Sequence, residues 1–313
     1  MASLPKIFID GEHGTTGLQI VERLAGRTDL QLLSLPVELR RSVEHRKALL
    51  NEADVVILCL PDDAAIESVA MITNPAVCVI DASTAHRVDP AWVYGFPELA
   101  ADQRAKIRAS TRIANPGCYA TGAIALLRPL IARGLLSSDT ALNIIGVSGY
   151  TGGGKALIEV HENPEAEPFA FYALGLSHKH LPEIQHCTGL ATKPVFLPSV
   201  GHFPTGMLVA IPLHASQLNG SAEDAAKALA DWYAGERFVT VAPLNSQDVL
   251  ERDAFLRADT LSNTNQLQIL PYSSKSGGEL VLIARLDNLG KGASGAAVQN
   301  LNILLGQDEA IGL

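Results

Sequence analysis

The chain has 313 residues, of which 47% are hydrophobic and 18% charged, with a formal net charge of -9. This length and composition bury an ample core, suffice for two domains of ordinary size and exclude a disordered chain. The acidic balance gives no general attraction to nucleic acid or to a membrane surface, so an anionic ligand has to be met by a local cationic site, and a small-molecule enzyme is expected. The four cysteines, Cys59, Cys78, Cys118 and Cys187, form no CxxC pair, and Cys59 and Cys78 sit in apolar runs, so disulfides are not expected. No export signal is read at the N-terminus and no apolar run approaches the roughly 18 residues of a membrane span, so the expected location is the cytoplasm.

Along the first 115 or so residues, short apolar runs alternate with helix-length amphipathic segments, the pattern of parallel strands joined by crossover helices. The pattern predicts strands at 6–10, 31–34, 55–60, 77–81 and 112–114, and helices at 18–25 and 62–71, the second capped by Asp62 or a neighbour. Beyond Gly117 a long apolar helix at 119–133 is followed by strands at 141–147, 207–212, 239–242 and 280–286 and by helices at 222–234 and 293–305. The fold class is therefore α/β, a doubly wound parallel sheet of Rossmann type followed by a second domain with a mixed or antiparallel sheet.

The stretch from Lys6 to Val21 reads as strand, glycine turn and helix, with Gly11, Gly14 and Gly17 spaced GxxGxxG around Thr15 and Thr16. Gly11 suits a sharp turn, Gly14 lets backbone N–H groups approach a pyrophosphate, and Gly17 permits close packing, while the helix N-terminus supplies a positive dipole. Three such glycines also occur for packing alone. The second strand runs out in Leu33-Ser34-Leu35-Pro36 without the acid that would hold the ribose hydroxyls of NAD, and Arg40 and Arg41 follow. Ser34 with the two arginines suits a 2′-phosphate, so NADP(H) is the expected cofactor; the alternative for Arg40, Arg41, Arg46 and Lys47 is a solvated helix face.

Arg112-Ile-Ala-Asn-Pro-Gly-Cys118-Tyr reads as a strand end, a Pro-Gly turn and a helix opening at Cys118. A thiol there meets the dipole and unpaired N–H groups that favour the thiolate, the nucleophilic form, although small cysteines also fill helix starts as packing. The natural proton-handling partners are in Ser177-His178-Lys179-His180-Leu-Pro-Glu183, where an extended segment would turn His178 and His180 to the same side. Acid–base work ranks first for this cluster and surface histidines second; a metal pair ranks last, because further ligands at short spacing are missing, and no metal is expected.

With these residues in view, the chain resembles the short form of the N-acetyl-gamma-glutamyl-phosphate reductase family over nearly its whole length. Four ordered blocks carry the resemblance: Tyr94-Gly-Phe-Pro-Glu-Leu99, Asn115-Pro-Gly-Cys-Tyr-Ala-Thr121, His178-Lys-His-Leu-Pro-Glu-Ile184 and Gly290-Lys-Gly-Ala-Ser-Gly-Ala-Ala-Val-Gln-Asn300. The resemblance implies Cys118 as nucleophile, His180 as general acid/base and His178 in support. It implies reduction of the 5-phosphate of N-acetyl-L-glutamate by NADPH, with loss of phosphate, to the 5-semialdehyde through a cysteine thioester. It implies an NADP-binding Rossmann domain at 1–116, a catalytic and oligomerisation domain at 117–287, a C-terminal helix at 288–313 packing back on the first, and a homo-oligomer, dimer or tetramer, without nucleic-acid or membrane partners.

Resemblance to reductases of this general kind also points to Ser148 and Gly149 beside the nicotinamide and Asn288 at its carboxamide, though all three are ordinary turn formers. Arg87 and Lys155 are the candidates for the anionic ends of the substrate, with a surface salt bridge as the other reading of Lys155. Longer members of the family end the fourth strand in Asp-Phe-Arg, where this chain reads Asp81-Ala-Ser-Thr-Ala-His-Arg87. Rival functions are a related reductase of an aminoadipyl or aspartyl phosphate, an NADP-binding sensor without catalysis, and a cysteine hydrolase, which would leave the glycine turn unexplained.

Overall fold

The computed structural model describes residues 3–313 and divides into two compact units, Met1–Pro116 with Ala293–Leu313, and Gly117–Gly292. The first unit is built from β1 (Lys6–Asp10), α1 (Thr15–Leu24), β2 (Gln31–Leu33), α2 (Val43–Glu52), β3 (Val55–Leu58), α3 (Asp62–Met71), β4 (Cys78–Asp81), β5 (Val93–Tyr94), α4 (Gln103–Ala109) and β6 (Arg112–Ala114). Its six strands are all parallel in the order β2-β1-β3-β4-β6-β5. A parallel sheet needs helices on both faces, and the alternation along each strand supplies two apolar surfaces. Ile7, Ile9, Val55, Ile57 and Ile80 face one core, whereas Phe8, Val56, Leu58 and Val79 face another that Leu50 of α2 and Ala65 of α3 complete.

The second unit holds α5 (Cys118–Ala132), β7 (Asn143–Gly149), α6 (Gly154–His161), β8 (Phe169–Phe171), α7 (Leu181–Thr188), β9 (Val195–Gly201), β10 (Met207–His214), α8 (Ala222–Trp232), β11 (Val239–Val241), β12 (Leu267–Ser273) and β13 (Glu279–Leu286). Its sheet is mixed, in the order β11-β12-β13-β10-β7-β9-β8. One face is buried, through residues such as Ile144, Val209, Ile211, Leu282 and Ala284. The other presents an apolar row, Leu197, Ile145, Ala210 and Ile283, that the strand register aligns across four strands. Ile145 is 44% exposed and Phe171, at the sheet's edge, 46%, so this face has no cover of its own.

The chain then returns to the first unit as α9 (Gly295–Leu304), whose Ala297, Val298, Leu301 and Ile303 join the core of Ile7, Ile9 and Ile20. The return begins at Ala293, later than the expected 288, and the reason is local. Asn288 accepts a hydrogen bond from the Gly206 N–H at 2.8 Å and the Lys291 ammonium lies 5.6 Å from the centre of the Phe238 ring, both ties within the second unit. Two smaller differences concern helix starts. The first helix opens at Thr15 rather than 18, directly after Gly14, and the residue preceding α3 is Pro61, while the Asp62 carboxylate accepts from the N–H and hydroxyl of Thr84.

Candidate active site

Cys118 is the first residue of α5, following Gly117 in extended conformation, so the thiol sits where the helix offers unpaired N–H groups. Two contacts fix this helix start. The Gly117 N–H donates to Oε2 of Glu183 at 3.1 Å, and a Cβ on Gly292 would lie 2.8 Å from the Cβ of Cys118, so only glycine at 292 lets the returning chain pass that close. The other cysteines have different surroundings. Burial pushes the Cys59 thiol up to about 12, with Asp81 and Asp10 adding to the effect; burial likewise raises Cys78, and raises Cys187 well above the ordinary range. Those three are held as thiols, which are poor nucleophiles. Among the described residues no disulfide forms and no group of three metal-ligating side chains assembles.

The histidines converge near the same helix start, by a different route from the expected one. His180 has helical backbone angles and precedes α7, which carries Pro182 in its first turn, and the Leu181 N–H donates to the His178 carbonyl at 3.0 Å. The segment is thus a turn into a helix and not an extended strand, because proline at a first helical position favours helix entry. The two rings still meet, with centroids 4.6 Å apart, and the His180 N–H donates to Nδ1 of His178 at 3.1 Å. Both rings stand about one ring-width from Tyr119, at 6.0 and 6.2 Å. His180 is buried, and its Nε2 faces Oε1 of Glu183 at 4.0 Å.

Glu183, to which the sequence assigned no role, is 1% exposed, and its two oxygens face the Gly117 N–H and His180. A buried carboxylate needs such partners, and here it links the helix start at Cys118 to His180. The spacing His180-x-x-Glu183 was the available signal: across a helix start, residues three apart lie on one side.

Ser148 and Gly149 end β7; the Ser148 hydroxyl donates to the Gly149 carbonyl at 2.9 Å, and the Gly149 N–H to that of Gly206 at 2.9 Å. The Asn288 amide also donates to the Thr151 hydroxyl at 3.0 Å, so this side chain ties together the segments after β7 and before β10. Lys155 is exposed at the start of α6.

In the first unit, Gly11 has φ +93°, a left-handed value that favours glycine, and a Cβ there would run into the Cys59 carbonyl of the neighbouring strand end. Gly14 precedes α1, Thr15 and Thr16 open it, and a Cβ on Gly17 would come within 2.8 Å of the Glu12 Cα. A cavity of about 450 Å³ lies above this turn, bordered by Gly11, Gly14, Leu35, Leu60, Arg40 and Arg41. The hydroxyl of Thr15 is buried without a hydrogen-bond partner among the described residues, an unmet polar group at a helix N-terminus that suits a phosphate.

The arginines divide. Arg46 is committed to Asp10, at 2.8 Å, and Ser68, at 2.7 Å, whereas Arg40 and Arg41 lie in the turn before α2 and not on a helix face. Ser34 donates to Oε1 of Glu12 at 2.7 Å, which the expectation of a direct phosphate contact did not include. Arg87 is buried after β4, its guanidinium donating to the carbonyls of Asn115 and Ala82, both at 3.0 Å.

A parallel sheet behind a glycine turn is thus followed by a mixed-sheet unit whose first helix opens on Cys118. Residues 23–107 match the family model of the semialdehyde dehydrogenase NAD binding domain and residues 118–288 that of the semialdehyde dehydrogenase dimerisation domain. Among solved structures, aspartate semialdehyde dehydrogenase II of Vibrio cholerae shares the fold at a TM-score of 0.75 and 16% identity, covering 97% of this chain and 99% of that one. Aspartate semialdehyde dehydrogenase of Candida albicans, solved with NADP, does so at 0.69 and 14%, covering 96% and 99%.

Curated relatives narrow the class. N-acetyl-gamma-glutamyl-phosphate reductase 2 of Nostoc sp. is 49% identical over 99% of both chains, that of Pseudomonas putida 50% identical over 98% of this chain and 99% of its own, and the reductase of Rhizobium meliloti 50% identical over 96% and 99%. The chain belongs to the N-acetyl-gamma-glutamyl-phosphate reductase family.

Glu183→Gln keeps an acceptor for the Gly117 N–H but removes the charge facing His180. It should lower kcat roughly 10–10²-fold, less than the loss of a general acid/base group itself. A kcat equal to that of the unsubstituted enzyme would show that Glu183 has no part in the reaction.

Proposed function

We propose that the chain reduces N-acetyl-L-glutamyl 5-phosphate with NADPH to N-acetyl-L-glutamate 5-semialdehyde and phosphate, a step of arginine biosynthesis carried out in the cytoplasm. The observation that carries the reading is the convergence of Cys118, His178, His180 and Glu183 in a chain about half identical, end to end, to reductases of that name.

The Cys118 thiolate, favoured at the start of α5, attacks the acyl carbon; a C–S bond forms, the C–O bond to phosphate breaks and phosphate leaves with the electron pair. NADPH, when bound, supplies the hydride that takes the thioester to the aldehyde level. His180 gives a proton to the carbonyl oxygen as negative charge develops there and takes it back as the C–S bond breaks, which returns Cys118 to the thiolate. His178 supports His180, a role favoured by the edge contact between the two rings, centroids 4.6 Å apart, and by the hydrogen bond its Nδ1 accepts from the His180 backbone N–H.

For the cofactor, Gly11, Gly14, Thr15, Thr16 and Gly17 are assigned to the pyrophosphate, and the unmet Thr15 hydroxyl supports this. Ser34, Arg40 and Arg41 are assigned to the 2′-phosphate, the two arginines bordering the cavity. Ser148, Gly149 and Asn288 are assigned to the nicotinamide end, and Arg87 and Lys155 to the substrate anions. Run in reverse, the enzyme should oxidise N-acetylglutamate 5-semialdehyde in the presence of NADP and phosphate far faster than the aspartate or aminoadipate analogues. In the forward direction kcat/KM with NADPH should exceed that with NADH, and Arg40→Ala with Arg41→Ala should narrow the ratio. Preference for another semialdehyde, or equal use of NADH, would contradict the reading.

The reading extends to a homo-oligomer, a dimer or tetramer. The uncovered apolar row of Leu197, Ile145, Ala210 and Ile283 supports a second copy of the chain as its cover, since exposed apolar surface on a sheet face favours association, and the matching family model is named for dimerisation. Ile145→Asp should convert the oligomer to monomer in analytical ultracentrifugation. A monomeric unsubstituted chain, or an oligomer indifferent to the change, would contradict this surface.

A further inference from the structure

We propose that Glu12 is a specificity-determining residue for the cofactor, whose carboxylate accepts hydrogen bonds from the adenosine ribose hydroxyls of NADH and repels the 2′-phosphate of NADPH. The inference deepens the cofactor reading above and rests on its placing of the dinucleotide over the glycine turn. In dinucleotide folds an acid at the end of the second strand holds the ribose hydroxyls of NAD, and arginine takes over where a 2′-phosphate binds. No acid follows Leu33 in the sequence, yet the structure brings one to that strand end from another element.

This acid is held at both ends. β1 and β2 run parallel with Phe8 beside Leu33, so the turn after β1 and Ser34 after β2 leave the sheet at the same edge. The Gly14 N–H donates to the Gly11 carbonyl at 3.0 Å, which closes a four-residue turn with Glu12 and His13 at its corners. Gly17 of α1 packs so close that a Cβ on it would lie 2.8 Å from the Glu12 Cα, and this fixes the backbone end. The Ser34 hydroxyl, donating to Oε1 at 2.7 Å, fixes the carboxylate end.

The carboxylate keeps bonding capacity to spare. An ionised carboxylate has about four acceptor sites. Among the described residues the Glu12 side chain accepts one hydrogen bond, from Ser34, and Nε2 of His13 stands 3.6 Å from the same oxygen. Glu12 lines the cavity of about 450 Å³ together with Arg40, Arg41 and Arg46. Arg46 is taken by Asp10 at 2.8 Å, whereas Arg40 and Arg41 have no carboxylate partner among the described residues.

The cavity therefore contains both devices, the acid that suits NADH and the arginines that suit NADPH. They oppose one another. A 2′-phosphate drawn to the arginines meets a fixed negative charge, and Ser34 can turn its single proton to the phosphate only by releasing Glu12. Glu12 thus lowers the discrimination that Arg40 and Arg41 would impose alone. The acid escaped the sequence reading because it lies 22 positions before the Ser34 that anchors it.

Isothermal titration with 2′,5′-ADP and with 5′-AMP isolates the ribose end, since neither probe carries a nicotinamide or takes part in reduction. Glu12→Gln preserves the shape of the side chain and an acceptor for Ser34 but removes the charge. It should tighten 2′,5′-ADP about tenfold, the size expected when a like charge is removed from beside a partly solvated phosphate, and weaken 5′-AMP about threefold. The ratio of kcat/KM for NADPH to that for NADH should rise in parallel. Unchanged affinities, or weaker binding of 2′,5′-ADP, would overturn the proposal. So would two affinities that shift together by the same factor, which would mean that Glu12 only shapes the turn. If circular dichroism shows that the variant has not folded, Glu12→Ala is titrated with the same probes and the same outcomes decide. A chain that binds 5′-AMP more tightly than 2′,5′-ADP, and loses that preference on Glu12→Gln, would refute the assignment to NADPH and leave this inference standing.

Discussion

The start of helix α5 is the constraint on which the proposed chemistry depends. A thiolate forms readily only where positive potential meets it, and the first turn of a helix offers that potential through N–H groups without partners. Here the first turn is held from two directions, by the Glu183 carboxylate on the Gly117 N–H and by Gly292 against the Cβ of Cys118. Glu183 has the further consequence of joining the helix start at Cys118 to His180, which its second oxygen faces.

The two units divide the work. The first has the properties of a dinucleotide fold: a parallel sheet with cores on both faces, a glycine turn under a cavity of about 450 Å³, and a threonine hydroxyl left unmet at a helix N-terminus. The second carries Cys118, His178 and His180, to which the proposed chemistry is assigned, and an open sheet face. Helix α9 ties the end of the chain into the first core through Val298 and Leu301, so the first unit is complete only after the second has been made.

Much of this was legible in the sequence because the signals are strong and local. Strands β1, β3 and β4 are apolar runs bounded by turn residues, and helix α5 is a long apolar segment behind Pro-Gly. Where the sequence reading fell short, the cause is physical. Strands β5 and β8 have two and three residues, too few for any period, and β9 and β12 contain Pro198 and Pro271, which argue against strands. The extended reading of His178 to His180 ignored Pro182, which marks a helix start. The pairing of Ser34 with Glu12 joins residues 22 positions apart through tertiary packing, and nothing local announces it.

The central claim is that Cys118 carries the substrate's acyl group. Rapid acid quench of the enzyme with N-acetylglutamyl phosphate in the absence of NADPH, with peptide mapping by mass spectrometry, tests it directly. An N-acetylglutamyl adduct on the peptide containing Cys118, absent from the Cys118→Ser protein and discharged by NADPH to the semialdehyde, is the predicted result. An adduct on Cys187 or another residue, or a fully active Cys118→Ser enzyme, would contradict it.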